Sequence, residues 1–206
     1  MKIFIQKIAQ KRGFTLIETL VAVMILAFAI IGPFALSAQS LRASRDARDE
    51  LVATYLALEG IEIVHSIRDN NSADDITPAH THWMDNIITG TCRPHGCIPD
   101  ITEQPGVGSV WTANALVSCP PGLCASRIVV YFNPTTGLYR QSAAALPAPW
   151  QKTLYTRKLN VVGVDDPGNP QRQVRITSTV TYLGYTHKIR TLSVSDNFYN
   201  WFPSLN

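Results

Sequence analysis

The stretch Arg12-Gly13-Phe14-Thr15-Leu16-Ile17-Glu18, continued by twelve consecutive apolar residues from Leu20 to Ile31, decides how the rest of the chain is read. Three basic residues precede it, Lys2, Lys7 and Lys11, with Arg12 opening it as the fourth, and Glu18 is the first acid of the chain. From Phe14 to Leu36 only Thr15, Glu18 and Thr19 are clearly polar, a length that spans a bilayer as a helix. The basic tip stays cytoplasmic by the positive-inside rule, which places everything after Leu36 on the far side of the membrane.

Working outward, the 206 residues suffice for one domain of ordinary size with an appendage. Apolar residues make up 46% and charged residues only 16%, against a typical quarter, which excludes a disordered chain and a highly charged nucleic-acid binder. The net charge of +3 resides in the tip: without residues 1–13 the chain holds 14 basic and 15 acidic residues. No affinity for phosphate backbones follows, and no nucleic-acid partner is expected.

Three fates fit a basic tip followed by an apolar run. An ordinary signal peptide would end at the small residues around Ala35-Leu36-Ser37. A plain single-pass anchor would need only the apolar length. Neither gives a reason for Glu18, because a carboxylate at membrane depth costs roughly 2.5 to 3.5 kcal/mol on insertion scales. In the third, the leader ends at Gly13, and the new α-amino group on Phe14 lies one helical turn from Glu18, a complementary charge able to pair between neighbouring chains.

The same residues resemble the prepilin-type cleavage and methylation motif of the type IV pilin superfamily, which comprises pilus subunits, minor pilins and the pseudopilins of type II secretion and DNA-uptake machines. The resemblance implies that prepilin peptidase cuts between Gly13 and Phe14 and N-methylates Phe14. It also implies that Glu18 and Phe14 serve assembly with other pilin or pseudopilin subunits. The implied partners are the peptidase, those subunits, an inner-membrane assembly platform and the lipid bilayer. Pro33 lies slightly earlier than the helix-bending proline of many members. Tyr55-Leu56-Ala57-Leu58-Glu59-Gly60-Ile61-Glu62 followed by Ile67-Arg68-Asp69-Asn70 is similar, more loosely, to the helix end of minor pilins of the pilin V and pseudopilin I kind.

Beyond Pro33, Leu41, Leu51, Val52, Tyr55, Leu56, Ile63, Val64 and Ile67 recur at helical steps, and the stretch from Leu51 to Ile67 reads as a core-packing helix. Arg42, Arg45, Asp46, Arg48, Asp49 and Glu50 occupy the other faces. The helix should end in the polar cluster Asp69 to Ser72. A loop-rich stretch with scattered prolines follows. From Arg127, β patterns dominate: Ile128 to Phe132, a turn at Asn133 to Gly137, Leu138 to Arg140, Thr153 to Val164, the alternation from Val174 to Tyr182, and Ile189 to Val194. The expected organisation is a leader (1–13), a membrane and assembly helix (14–36), an amphipathic extracytoplasmic helix (37–71), a loop-rich cysteine-containing region (72–126) and an antiparallel sheet region (127–206). The fold class is α+β, with a long N-terminal helix on a C-terminal antiparallel sheet.

Cys92 and Cys97 enclose four residues, as do Cys119 and Cys124, and outside the cytoplasm such cysteines form disulfides. Two local bridges, or a ladder joining Cys92 to Cys124 and Cys97 to Cys119, both suit the spacing. A zinc ribbon with help from His80, His82 or His95 fits less well, because the spacing is wide and the compartment oxidising. Asp74-Asp75 and Asp165-Asp166 with Asn169 follow no regular calcium loop. No metal, cofactor or catalytic motif is expected: the chain has no G-x-S-x-G, Walker or H-E-x-x-H pattern. Tyr199, Trp201 and Phe202 read as a core plug or end-strand anchor, with an exposed adhesive patch as the alternative. The leading reading is a non-enzymatic minor pilin or pseudopilin, held in the inner membrane with an extracytoplasmic head and then drawn into a pilus or pseudopilus. The alternative is an extracytoplasmic binding domain or hydrolase behind an ordinary signal or anchor.

Overall fold

The apolar run continues without a break into the amphipathic region, and in the computed structural model both belong to one helix, α1 (Leu16–Asp74). The structure describes residues 13, 15–74, 83, 84, 87, 92, 93, 95–99, 116–142, 146–163, 173–185 and 187–199. The chain divides into two units, Met1–Arg45 and Asp46–Asn206, with α1 contributing to each.

In the first unit the described residues are exposed. Pro33 lies inside the helix, where it has no N–H to return to the carbonyl of Ala29. The Ser37 hydroxyl donates to the carbonyl of Pro33 at 2.9 Å. The helix runs on to Asp74, a little past the polar cluster at which it was expected to stop.

In the second unit the α+β layout is as expected. After β1 (Cys97–Pro99), β2 (Leu116–Ser118) and the short α2 (Cys124–Arg127) come β3 (Val129–Phe132), β4 (Tyr139–Arg140), β5 (Gln151–Gly163), β6 (Gln173–Leu183) and β7 (Ile189–Tyr199). The strands form one antiparallel sheet. β5 is its spine: one edge pairs with β6 from Tyr155–Tyr182 to Gly163–Val174, and the other pairs with β3 and, at Leu159, with β1. β7 lies beyond β6. The β3–β4 turn is held by Asn133, whose Oδ1 accepts from the Thr135 N–H at 2.9 Å, and Gly137 closes it at φ +73°, a conformation only glycine adopts cheaply.

The alternation in β6 has the expected sense: Val174, Ile176, Ser178, Val180 and Tyr182 are buried. Opposite them, Thr177, Thr179 and Thr181 meet the hydroxyls of Ser195, Ser193 and Thr191 on the outer face. Two apolar clusters join helix to sheet. One gathers Ile61, Ile63, Val64 and Ile67 with Leu159, Val174, Ile176, Phe198 and the Trp83-Met84 pair; the other gathers Ala53, Leu56 and Ala57 with Val130, Val180 and Tyr182.

Two expectations about the helix need correction. Leu51 and Tyr55 are 56% and 65% exposed, so they do not belong to the core face; Ala53, Ala57 and Ile61 take those places. The small alanines let the helix lie close to the sheet, and the larger apolar residues are left outside. Asp46 and Asp49, read as solvent-facing, instead turn towards the sheet. Asp46 accepts from Arg190 Nη2 at 3.0 Å and from the Tyr185 N–H at 3.1 Å, and Asp49 accepts from the Tyr155 hydroxyl at 3.4 Å. Tyr199 is half exposed at the end of β7, not a core plug, while Trp201 and Phe202 lie outside the described residues.

Candidate functional site

Helix α1 begins with a local hydrogen-bond pattern that its sequence supplies. The N–H of Glu18 reaches the Thr15 carbonyl at 3.1 Å and, less closely, the Thr15 hydroxyl at 3.4 Å; the N–H of Thr19 also bonds the Thr15 carbonyl. Thr15-Leu16-Ile17-Glu18 has the spacing of a capping box, a signal available in the sequence that the membrane argument passed over. The carboxylate also stands in the first turn of the helix, where the macrodipole favours negative charge. Glu18 therefore has a local reason to start the helix, and its carboxylate remains exposed.

Gly13 is exposed, and a Cβ built on it would meet nothing within 4 Å. Among the described residues nothing demands a glycine there. Phe14 lies outside the described residues. From Leu16 to Leu36 the large apolar side chains are between 48% and 82% exposed, and the helix is long and apolar enough to cross a membrane. An unburied apolar stripe of this length is stable only where lipid or other protein replaces water.

Residues 8–32 match the family model described as the prokaryotic N-terminal methylation motif. The N-terminal segment is type IV pilin-like. The motif implies processing by prepilin peptidase and assembly with other pilin subunits, and the apolar helix behind it has the length and composition to cross a membrane. No curated protein and no solved structure matches the chain.

The second unit carries both disulfides. Cys92 bonds Cys97 and Cys119 bonds Cys124, the local arrangement, so the four sulfurs are tied in pairs and are not thiolates. The two turns adjoin because β1 pairs with β2: Cys97 faces Ser118, and the Cys119 N–H donates to the Gly96 carbonyl at 3.0 Å. Gly96 is required, with φ at +79° and a Cβ position 2.6 Å from the Leu159 carbonyl oxygen. His95 is exposed; His80, His82, Asp75, Asp165, Asp166 and Asn169 lie outside the described residues, as does the Asp74 side chain.

Between the two apolar clusters runs a polar seam that the sequence reading missed. Arg157 is 1% exposed. Its Nη1 donates to Glu59 Oε2 at 2.6 Å and to the Leu56 carbonyl at 2.8 Å, and its Nε donates to Gln141 Oε1 at 2.7 Å. Gln141, also buried, passes its own N–H bonds to the carbonyls of Ile128 and Arg157. Burial pulls the Arg157 pKa down, and the Glu59 carboxylate opposes that pull. The signal was present in β5, where Tyr155, Arg157, Leu159 and Val161 share the inward slots of a period-two pattern. Gly60 faces the seam, because a Cβ there would stand 2.8 Å from Ser178 Oγ.

A second polar tie joins α1 to the last strand. His65 Nε2 lies 2.8 Å from Asp196 Oδ2, and the imidazole packs on the Phe198 ring at 4.3 Å, with the Arg68 guanidinium over the same ring.

Proposed function

We propose that this chain is a minor pilin or pseudopilin, a structural and not a catalytic subunit. In this reading it rests in the inner membrane with its head on the extracytoplasmic side until the leader is cut between Gly13 and Phe14, and is then drawn into a type IV pilus or related pseudopilus. The observation that carries the reading is a methylation motif set at the start of a fully exposed apolar helix, in a chain whose helix continues into a sheet-bearing head.

The chemistry of assembly follows from charge. Cutting after Gly13 creates an ammonium on Phe14, one turn from Glu18. In a bundle of apolar helices an isolated carboxylate is costly, and the terminal ammonium of a neighbour is the counter-ion that removes the cost. N-methylation keeps that charge. The exposure of Gly13 and the empty space around it support a requirement imposed from outside the chain, by the groove of a peptidase that reads extended backbone. The machine platform and neighbouring subunits would then handle the helix as a unit, while the head supplies identity.

The test is the intact mass of membrane-derived protein from cells with active prepilin peptidase. A chain of 193 residues beginning with methylated Phe14 is expected, which is 206 less the 13 of the leader. A start at Ser37, Ala38 or Gln39, or retention of Lys2 to Gly13, overturns the reading.

A further inference from the structure

The outer face of the sheet, turned away from α1, carries ordered rows of hydroxyls. Thr177 and Ser195 meet at 2.9 Å, Thr179 and Ser193 at 3.1 Å, and Thr181 and Thr191 at 3.4 Å. The backbone behind them is regular, with no register shift through the nine β5–β6 pairs or the eleven β6–β7 pairs. Each hydroxyl pair uses one proton, so a second O–H and several lone pairs remain in every row for a ligand.

Charge is divided across the same sheet. Among the described residues of the second unit every acid stands on α1 except Asp196, which faces α1 through His65. The outward positions of β5, β6 and β7 hold no acid. They do hold bases, and two border the hydroxyls: Lys158 lies opposite Thr179, and Arg175 lies opposite Asn197. Neither has an ion-pair partner among the described residues. Both are held in place. Gly96 makes room for the Lys158 stem, because a Cβ there would stand 2.5 Å from Lys158 Cε. Arg175 donates from Nε to Asn197 Oδ1 at 3.1 Å, which leaves its terminal nitrogens to meet a carboxylate. Four residues of β6 separate Thr179 from Arg175, about 13 Å at 3.3 Å per residue, with the Thr177 row between them.

We propose that this face binds an acidic polysaccharide, with carboxylates of the polymer on Lys158 and Arg175 and its hydroxyls on the Thr and Ser rows. Charge complementarity selects a polyanion, and the hydroxyl rows between well-separated bases select one whose charges are spaced along a hydroxyl-bearing chain. Nucleic acid fits less well. A duplex presents one charge per about 1.7 Å of its axis, and the hydroxyl rows offer no aromatic ring on which a base could stack. The face lies wholly within the second unit, so binding requires no filament.

The experiment uses the full-length chain in a neutral detergent at low salt, with fluorescent polygalacturonate as the probe and anisotropy as the readout. Binding is expected, with no competition from neutral dextran and with polyglutamate and duplex DNA held several-fold more weakly. Lys158→Gln with Arg175→Gln should weaken polygalacturonate about tenfold, and Lys158→Arg with Arg175→Lys should retain most of the affinity. Thr179→Val with Ser193→Ala leaves the charge unchanged; it should weaken polygalacturonate several-fold and leave polyglutamate as before. Melting curves matching wild type show that the sheet is intact in each variant. Equal affinity for all three polyanions, or tighter binding of DNA, overturns the polysaccharide as occupant. Binding of none, or binding indifferent to both the charge and the hydroxyl substitutions, overturns the site. Entry of the Lys158→Gln, Arg175→Gln chain into filaments at the wild-type level is expected, so failure of polysaccharide binding leaves the pilin reading standing.

Discussion

Arg157 in the middle of β5 holds Glu59 on α1 at 2.6 Å while being almost wholly withdrawn from water, and this one pair ties the helix to the sheet between its two apolar clusters. Removing one member of such a pair leaves a buried charge uncompensated. Glu59 is 39% exposed, so Glu59→Ala should cost about 3 kcal/mol, at the lower end of the range for broken buried pairs. Glu59→Gln, which keeps an acceptor for Nη1, should cost markedly less. Denaturant midpoints of the detergent-solubilised chain check this, and equal losses for both variants would show that the charge contributes nothing.

Gly60 makes room for the same seam. An alanine there gains about 1 kcal/mol of helix propensity. Its methyl group, however, would stand 2.8 Å from Ser178 Oγ and 3.0 Å from Leu159 Cδ2. Overpacking of this kind costs about 1 to 3 kcal/mol. Gly60→Ala should therefore destabilise, and Ser178→Gly in the same chain should recover part of the loss, a coupling read from a double-mutant cycle.

The Tyr155 phenol is raised above its ordinary pKa by burial first and by the Asp49 carboxylate second. The folded chain thus holds this proton more tightly than the unfolded one. The stabilisation is whole below the ordinary phenol value of about 10 and is lost as pH rises above it. Wild type should lose more stability than Tyr155→Phe between neutral pH and the alkaline side of that value, measured as the difference between their melting curves. Parallel curves would count against it.

Each disulfide closes a short loop, with a sequence separation of 5. On the loop-entropy account each contributes about 2 kcal/mol. Unreduced, unfolded protein should take up no iodoacetamide, and Cys92→Ser with Cys97→Ser should lower stability by roughly that amount. The loss of protection in hydrogen exchange should be largest at the β1–β2 corner.

Glu18→Ala should leave insertion and leader cleavage intact, since removing a carboxylate relieves the insertion cost and Gly13 is untouched. Entry into filaments should fall by orders of magnitude if an unpaired ammonium costs about 3 to 5 kcal/mol. The readout is the fraction of processed protein in sheared filaments relative to membranes. Normal incorporation would reduce Glu18 to its part in starting the helix beside Thr15.

By itself the sequence determined the elements whose cause is local. The apolar run after Glu18, the alternation from Val174 to Tyr182 and the Asn133 to Gly137 turn were legible because periodicity and turn chemistry act within a few residues. The methylation motif was legible for the same reason, being a contiguous signal. Tertiary structure alone decided which face of α1 is core. Helical spacing could not tell Tyr55 from Ala57 as the residue that meets the sheet, because the choice depends on how closely β5 approaches at Gly60. It also decided that Asp46, Asp49, Glu59 and His65 point at strands more than 90 residues away, and that Arg157 fills an inward slot meant for an apolar side chain. Those partners are brought together by the register of β5, β6 and β7 against the helix, a relation between distant segments that no local pattern of residues encodes.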